Sequence, residues 1–143
     1  MPSRQPIGEF LSDLGARTPA PASGSAAALT AAMGAALAEL AARFANDEEA
    51  ALRTRALVSR LEQLADEDAA AYTAFMASRN EETRRRTIEV PEEIASCAEE
   101  AAEIADRLAS TLRTSVAGDA ESGAALARAA AGVARRLAEL NAP

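Results

Sequence analysis

One aspartate in the middle of the chain lies on an apolar helical face and is the best candidate for acid–base chemistry. Four large apolar side chains share that face with Asp68: Leu61, Leu64, Tyr72 and Phe75. Asp66 points about 160° away, towards polar neighbours. A carboxylate on an apolar face loses hydration, so it must be paired, hydrogen-bonded or protonated. We therefore expect Asp68 to transfer protons at the edge of a cavity. The alternatives are an ion pair with an arginine of a neighbouring helix, or a place at the rim of a bundle.

A second candidate is the segment that leads into an alanine-rich helix. Proline fixes φ and biases the preceding residue towards extended backbone, so this segment is not helical before Pro21. Gly24, between two serines, offers free backbone N–H groups at the start of a helix, and Ser25 is a good N-cap there. Such a corner attracts anions and amide-like groups; the alternative is an ordinary loop and helix cap. The candidate binding residues are Thr18, Pro19, Pro21, Ser23, Gly24 and Ser25.

The composition excludes several classes of chemistry and partner. The chain has no histidine and a single cysteine, Cys97, so it offers neither a histidine-containing zinc site nor a thiolate cluster. Its net charge is −7, its 15 basic residues form no basic stripe, and nucleic acid is therefore not expected as a partner. Nothing in the sequence is typical of a signal peptide or of an apolar span of about 20 residues. We expect a soluble, cytoplasmic protein that does not bind a membrane.

Five segments with helical periodicity must position these candidates. The spacing of apolar residues predicts helices over about 6–15, 25–45 and 48–76, a fourth that starts at Pro91, and a fifth after Gly118 and Asp119. Residues 78–89 are polar and are expected to be a linker. No segment is typical of a strand. The sequence predicts an all-α fold, an up-and-down bundle of about five helices in a single domain over residues 1–143. The alternative is an extended coiled coil.

The second helix carries a stripe of very small side chains that another backbone could approach closely. Its members are Ala27, Ala31, Gly34, Ala35 and Ala38. Much of the 49% hydrophobic fraction is alanine, which gives a monomer only a thin core. We therefore expect close helix packing and a homodimer, with this stripe plausible as its contact.

Three stretches resemble the formiminotetrahydrofolate cyclodeaminase and methenyltetrahydrofolate cyclohydrolase family. The first is the family's Thr-Pro-Ala-Pro-Gly-Gly-Gly-Ser block before an alanine-rich helix, although Ala22 and Ser23 replace two glycines here. The second is LADEDAAAYTAFM, in which the family's proton-accepting aspartate falls on Asp68. The third is SVAGDAESGAALARAAAGV, in which Asp119 takes the place of a family aspartate; the alternative for Asp119 is a helix N-cap.

The resemblance implies chemistry on the one-carbon unit of tetrahydrofolate. In the deaminase reaction a ring nitrogen attacks a formimino group and ammonia leaves; in the hydrolase reaction water opens the methenyl bridge. The implied substrate is a small-molecule folate, a tetrahydrofolate derivative, with no tightly bound cofactor and no metal. Asp68 would be the base, and the segment from Thr18 to Ser25, with Asp119, would bind the substrate. The alternative is a non-catalytic helical dimer or binding module that keeps the fold.

Overall fold

Four long antiparallel helices, preceded by one short helix, make up the computed structural model, which describes residues 1–143. A 3-10 turn spans Pro2–Arg4, and the helices are α1 (Ile7–Leu14), α2 (Ser23–Phe44), α3 (Glu48–Ala77), α4 (Glu81–Thr111) and α5 (Val116–Asn141). There are five α-helices and no strand, so the predicted all-α class is confirmed.

Helices α2 to α5 alternate in direction around the bundle. Arg60 of α3 pairs with Glu93 of α4 at 2.6 Å, whereas Glu67, further along α3, pairs with Arg86, earlier on α4, at 3.2 Å. Residue numbers that increase along α3 therefore decrease along α4, so the two helices are antiparallel. Helices α2 and α4 each pack against all three of the other long helices, so together they form the centre of the core. This up-and-down arrangement is the predicted one.

The small residues of α2 allow a very close helix contact, and that contact is with α5 of the same chain. A Cβ placed on Gly34 would lie 2.6 Å from the carbonyl oxygen of Gly123, which is closer than real Cβ contacts allow. Ala31, Ala35 and Ala38 are completely buried beside it. The predicted close packing is confirmed, but the plausible place of this stripe at a dimer contact is wrong, because the chain's own fifth helix covers it.

The predicted start of the fourth helix is wrong. Helix α4 begins ten residues before Pro91, with a capping box in which Asn80 accepts from the Thr83 N–H at 2.9 Å. Pro91 lies inside the helix, where its missing N–H leaves the Thr87 carbonyl without its usual donor. The side-chain amide of Asn141, at the end of α5, donates to that carbonyl at 2.8 Å. The tertiary structure thus supplies the hydrogen bond that the proline removes.

Helix α2 also corrects the expectation that no segment is apolar enough to cross a membrane. By length and composition Ser23–Phe44 passes that test, but 61% of its most apolar window is buried inside the bundle. The central helix of a protein core has the same properties.

Candidate functional site

The candidate site lies where α3 runs past the beginning of α2. The Ser25 hydroxyl, fully buried, donates to the Ala65 carbonyl at 2.8 Å and fixes the start of α2 against α3. Asp68 follows Ala65 by three residues, so it sits at the level of the first turn of α2. The N-cap prediction for Ser25 is therefore wrong: α2 starts at Ser23, and Ala22 occupies the N-cap without a side-chain hydrogen bond.

Gly24 makes room for the carboxyl group of Asp68. A Cβ on Gly24 would lie 2.2 Å from the carboxyl carbon and from both carboxyl oxygens of Asp68. Any other residue at position 24 would therefore displace the Asp68 side chain. The two replaced glycines matter less to this contact, because Ala22 and Ser23 are both exposed. The glycine that the chain keeps is the one that the geometry requires.

The environment of Asp68 favours the protonated form. Burial raises the pKa of Asp68 from its usual 3.8 to about 6, while hydrogen bonding from the Ser25 backbone N–H acts in the opposite direction. Desolvation is the larger of the two effects. The predicted alternative of an arginine partner is wrong, since no ion pair involves Asp68. The half-buried side chain lies at the beginning of α2, level with its first turn. Such a group can take up and release a proton near neutral pH.

The preceding loop is an approach to this site rather than part of its contacts. Thr18 and Pro19 are exposed, and Pro21 is half-buried. The Thr18 backbone N–H donates to the Ala16 carbonyl at 2.9 Å, which tightens the loop on itself. No side-chain hydrogen bond connects the loop to Asp68. The structure thus brings Gly24 and Ser25 to the candidate base. Ser23 is the exposed first residue of the same helix, and the three predicted residues of the loop make no side-chain hydrogen bond to Asp68.

Asp119 lies at the opposite end of the bundle. It belongs to the first turn of α5, next to Ala120, which packs with Ala41 and Ala42 near the end of α2. Since Ala42 follows Gly24 by 18 residues, about 27 Å of helix separate this end from Gly24. Within one chain Asp119 therefore does not join Asp68. The N-cap alternative is also wrong, because Ser115 occupies that position.

Asp66 has a structural role that its polar helical face did not reveal. Its carboxylate accepts from the backbone N–H of Ser3 at 2.9 Å and from the Ser3 hydroxyl at 2.5 Å. These bonds fasten the 3-10 turn to α3 beside the candidate site. Tyr72 is exposed and makes no hydrogen bond to Asp68, because α3 extends beyond α2 at that point. No local signal connects Ser3 with a residue 63 positions away.

The chain contains no group of three or more histidine, cysteine, aspartate or glutamate side chains placed to hold a metal ion. The site is therefore described by one carboxyl group, one glycine and the beginning of a helix.

A family profile and a solved structure both match this chain. The sequence profile of the formiminotransferase-cyclodeaminase family matches residues 6–143. The structure is similar to that of the formiminotetrahydrofolate cyclodeaminase of Thermotoga maritima, with a TM-score of 0.90 and 22% identity, over 96% of this chain and 78% of that one. At this identity the likeness establishes the fold. No curated protein matches the sequence. With almost the whole length matched by its profile, the chain belongs to the formiminotransferase-cyclodeaminase family.

Proposed function

We propose that this protein is a soluble cytoplasmic enzyme that acts on the one-carbon unit of a tetrahydrofolate derivative, with Asp68 as the proton-transfer group. The observation that supports the proposal is a half-buried carboxyl group without an arginine partner, whose pKa is raised to about 6. Structural carboxylates at helix starts are normally stabilised in the charged form. A carboxyl group whose pKa lies near neutral pH is suited to proton transfer, whereas it does not add to the stability of the fold.

Ring closure requires two proton movements, and one carboxyl group can serve both. As the second folate nitrogen attacks the carbon of the protonated, amidinium form of the formimino group, that nitrogen loses a proton, which Asp68 accepts. The departing nitrogen then takes a proton from Asp68 and leaves as ammonia, so that the carboxylate is restored. The reaction centre is cationic in the methenyl product, and an ionised carboxylate at Asp68 would stabilise that charge. The hydrolase reaction would use Asp68 in the same place to remove a proton from the attacking water.

The segment before α2 completes the proposal as the binding side of the site. Thr18 and Pro19 are exposed in the loop that leads into α2, and Ser23, the first residue of α2, is exposed as well. These groups can contact a folate without displacing Asp68 from Gly24. Asp119 has no part in this arrangement within one chain.

The test is turnover of formiminotetrahydrofolate and of methenyltetrahydrofolate, followed by methenyl absorbance and ammonia release. Asp68→Asn is expected to lower kcat by about 10²- to 10⁴-fold, the range for loss of a general acid–base group, while calorimetry shows folate binding retained. Gly24→Ala should also lower kcat, because its Cβ displaces the same carboxyl group.

Asp66→Asn is the matched control. It makes the same chemical change two residues away, at a carboxylate that binds Ser3, and should retain turnover. If the parent protein neither turns over nor binds either folate, the proposal is wrong and the non-catalytic helical module is the better description. If Asp66→Asn abolishes turnover and Asp68→Asn does not, the assignment of the base is wrong.

A further inference from the structure

The hairpin between α3 and α4 extends beyond the rest of the bundle, at the end where Asp68 lies. Helix α2 begins at the level of Asp68, and α5 ends at Asn141, whose side chain bonds to Thr87 of α4. Helix α3 continues to Ala77, which adds about 14 Å of helix after Asp68. We call residues 72–84, which lie beyond the start of α2 and the end of α5, the α3–α4 tip.

The α3–α4 tip continues the face of α3 that carries Asp68. Tyr72 and Phe75 follow Asp68 by four and seven residues and therefore share its helical face. On the earlier turns of this face Leu61 and Leu64 are fully buried, whereas Tyr72 is 38% exposed and Phe75 is only partly buried. An open aromatic shelf thus leads from the candidate base to Phe75, about 10 Å further along the helix.

Two arginines without a carboxylate partner lie at the far end of this shelf. The guanidinium carbons of Arg79 and Arg84 are 5.4 Å and 5.3 Å from the centroid of the Phe75 ring, within the range at which an aromatic ring attracts a cation. Most arginines of the chain form ion pairs, but these two form none, and Glu81 and Glu82 at the start of α4 pair with neither. Both cations are therefore available to an anion from outside the chain.

The placement of these two cations favours a ligand that carries carboxylates. Two positive charges beside one ring repel each other, and a bound anion offsets that repulsion. The guanidinium group matches a carboxylate because its N–H donors can bind both oxygens at once. The chain as a whole has a net charge of −7, so an anionic ligand needs a local positive group where it binds. The α3–α4 tip therefore suits an aromatic group followed by carboxylates.

We propose that the α3–α4 tip binds the p-aminobenzoyl-glutamate end of the folate, with Arg79 and Arg84 on its carboxylates and Tyr72 against its aromatic ring. The inference rests on the proposed function, because it requires the one-carbon unit to lie at Asp68. Standard bond lengths place the first carboxylate about 10 Å from that unit, which matches the length of the shelf. Since neither arginine reaches the reacting atoms, both should contribute to binding and not to the chemical step.

The experiment compares methenyltetrahydrofolate with a truncated compound that has the same rings but ends in a p-aminobenzamide, without the glutamate. Calorimetry gives Kd for both compounds, and the reaction that the parent catalyses gives kcat and KM. The parent should bind the folate about 10-fold or more tightly than the truncated compound. Arg79→Gln and Arg84→Gln should each raise Kd and KM for the folate by about 3- to 10-fold. Their kcat, and their Kd for the truncated compound, should stay at the parent's values.

Arg113→Gln is the matched control. Arg113 also forms no ion pair, but it follows the last residue of α4, at the opposite end of the bundle. This variant removes the same charge from the chain and should leave Kd for both compounds unchanged. Circular dichroism verifies that each variant is folded.

The outcomes separate this inference from the proposed function. Equal affinity of the parent for the two compounds overturns the inference and leaves the proposed function intact. So does a loss of affinity in Arg79→Gln and Arg84→Gln that is the same for both compounds, or a loss in Arg113→Gln as large as theirs. A parent that binds neither compound overturns the proposed function and this inference with it.

Discussion

The stability of Asp68→Asn as a function of pH tests whether the buried carboxyl group lowers the free energy of unfolding or raises it as a helix cap. Its pKa is about 6 in the folded protein, against an ordinary 3.8. Between these values the folded state holds the proton and the unfolded state releases it. The contribution of Asp68 to the free energy of unfolding therefore falls as pH rises from about 4 to about 6, and remains low above that. Asparagine keeps the volume and has no such titration.

The magnitude follows from the size of the shift. A difference of about two pKa units corresponds to about 3 kcal/mol, an upper value because the side chain is only half-buried. We expect Asp68→Asn to unfold at nearly the parent's urea concentration at about pH 4, and to be more stable than the parent by about 1–3 kcal/mol at about pH 8. The gain should appear across the interval in which the parent's carboxyl group ionises.

The assay is urea unfolding followed by circular dichroism at several pH values. Asp119→Asn is the control, since it removes a charge from the first turn of α5 and should lower stability slightly at neutral pH through the helix dipole. A loss of stability in Asp68→Asn that is largest at high pH would refute the reasoning. It would show that the start of α2 stabilises the charged carboxylate more than burial destabilises it.

Two further predictions concern packing. Asn141→Ala should lower the free energy of unfolding by about 1–3 kcal/mol, because it leaves the buried Thr87 carbonyl without a donor. In a Pro91→Ala background a backbone N–H returns to this carbonyl, and urea unfolding should then show a much smaller loss. Gly34→Ala should lower the melting temperature and the stability by about 1–3 kcal/mol, because its Cβ meets a backbone oxygen of α5. Gly132→Ala has open space around its Cβ and should stabilise the protein by about 0.5–1 kcal/mol. Equal melting temperatures for the two variants would contradict the close contact.

The sequence was informative about Asp68 because helical phase depends only on local spacing. Leu61 and Leu64 are fully buried, as their shared face with Asp68 predicts. Tyr72, on the same face, is exposed instead. The difference arises because α3 is longer than α2 at this end, and relative helix length with register is a tertiary property. The same property places Asp68 at the rim, where it is desolvated but still reachable.

The beginning of α4 could not be predicted for a related reason. A proline after a polar stretch is typical of a helix start, and residues 81–90 have few apolar side chains to contradict that. Pro91 is accepted inside the helix because Asn141, 54 residues from Thr87, supplies the missing donor. No local sequence signal near Pro91 predicts this hydrogen bond from Asn141. The position of Asp119 at the far end of the bundle, likewise, follows from chain direction and not from its local motif.

The way α2 begins bears on whether Asp68 serves the helix or the reaction. A helix start is readily stabilised by a side chain at the N-cap, and Ser23 is available next to that position. Yet Ala22 is the N-cap and makes no side-chain hydrogen bond, so the anion at this helix start comes from α3. If Asp68 served as a helix cap, its pKa would be lowered, because the helix start favours negative charge. Burial raises it instead, and Gly24 leaves room for the carboxyl group at the position where this happens. The arrangement keeps the pKa of Asp68 near neutral pH beside backbone donors, as the proton transfer proposed for this residue requires.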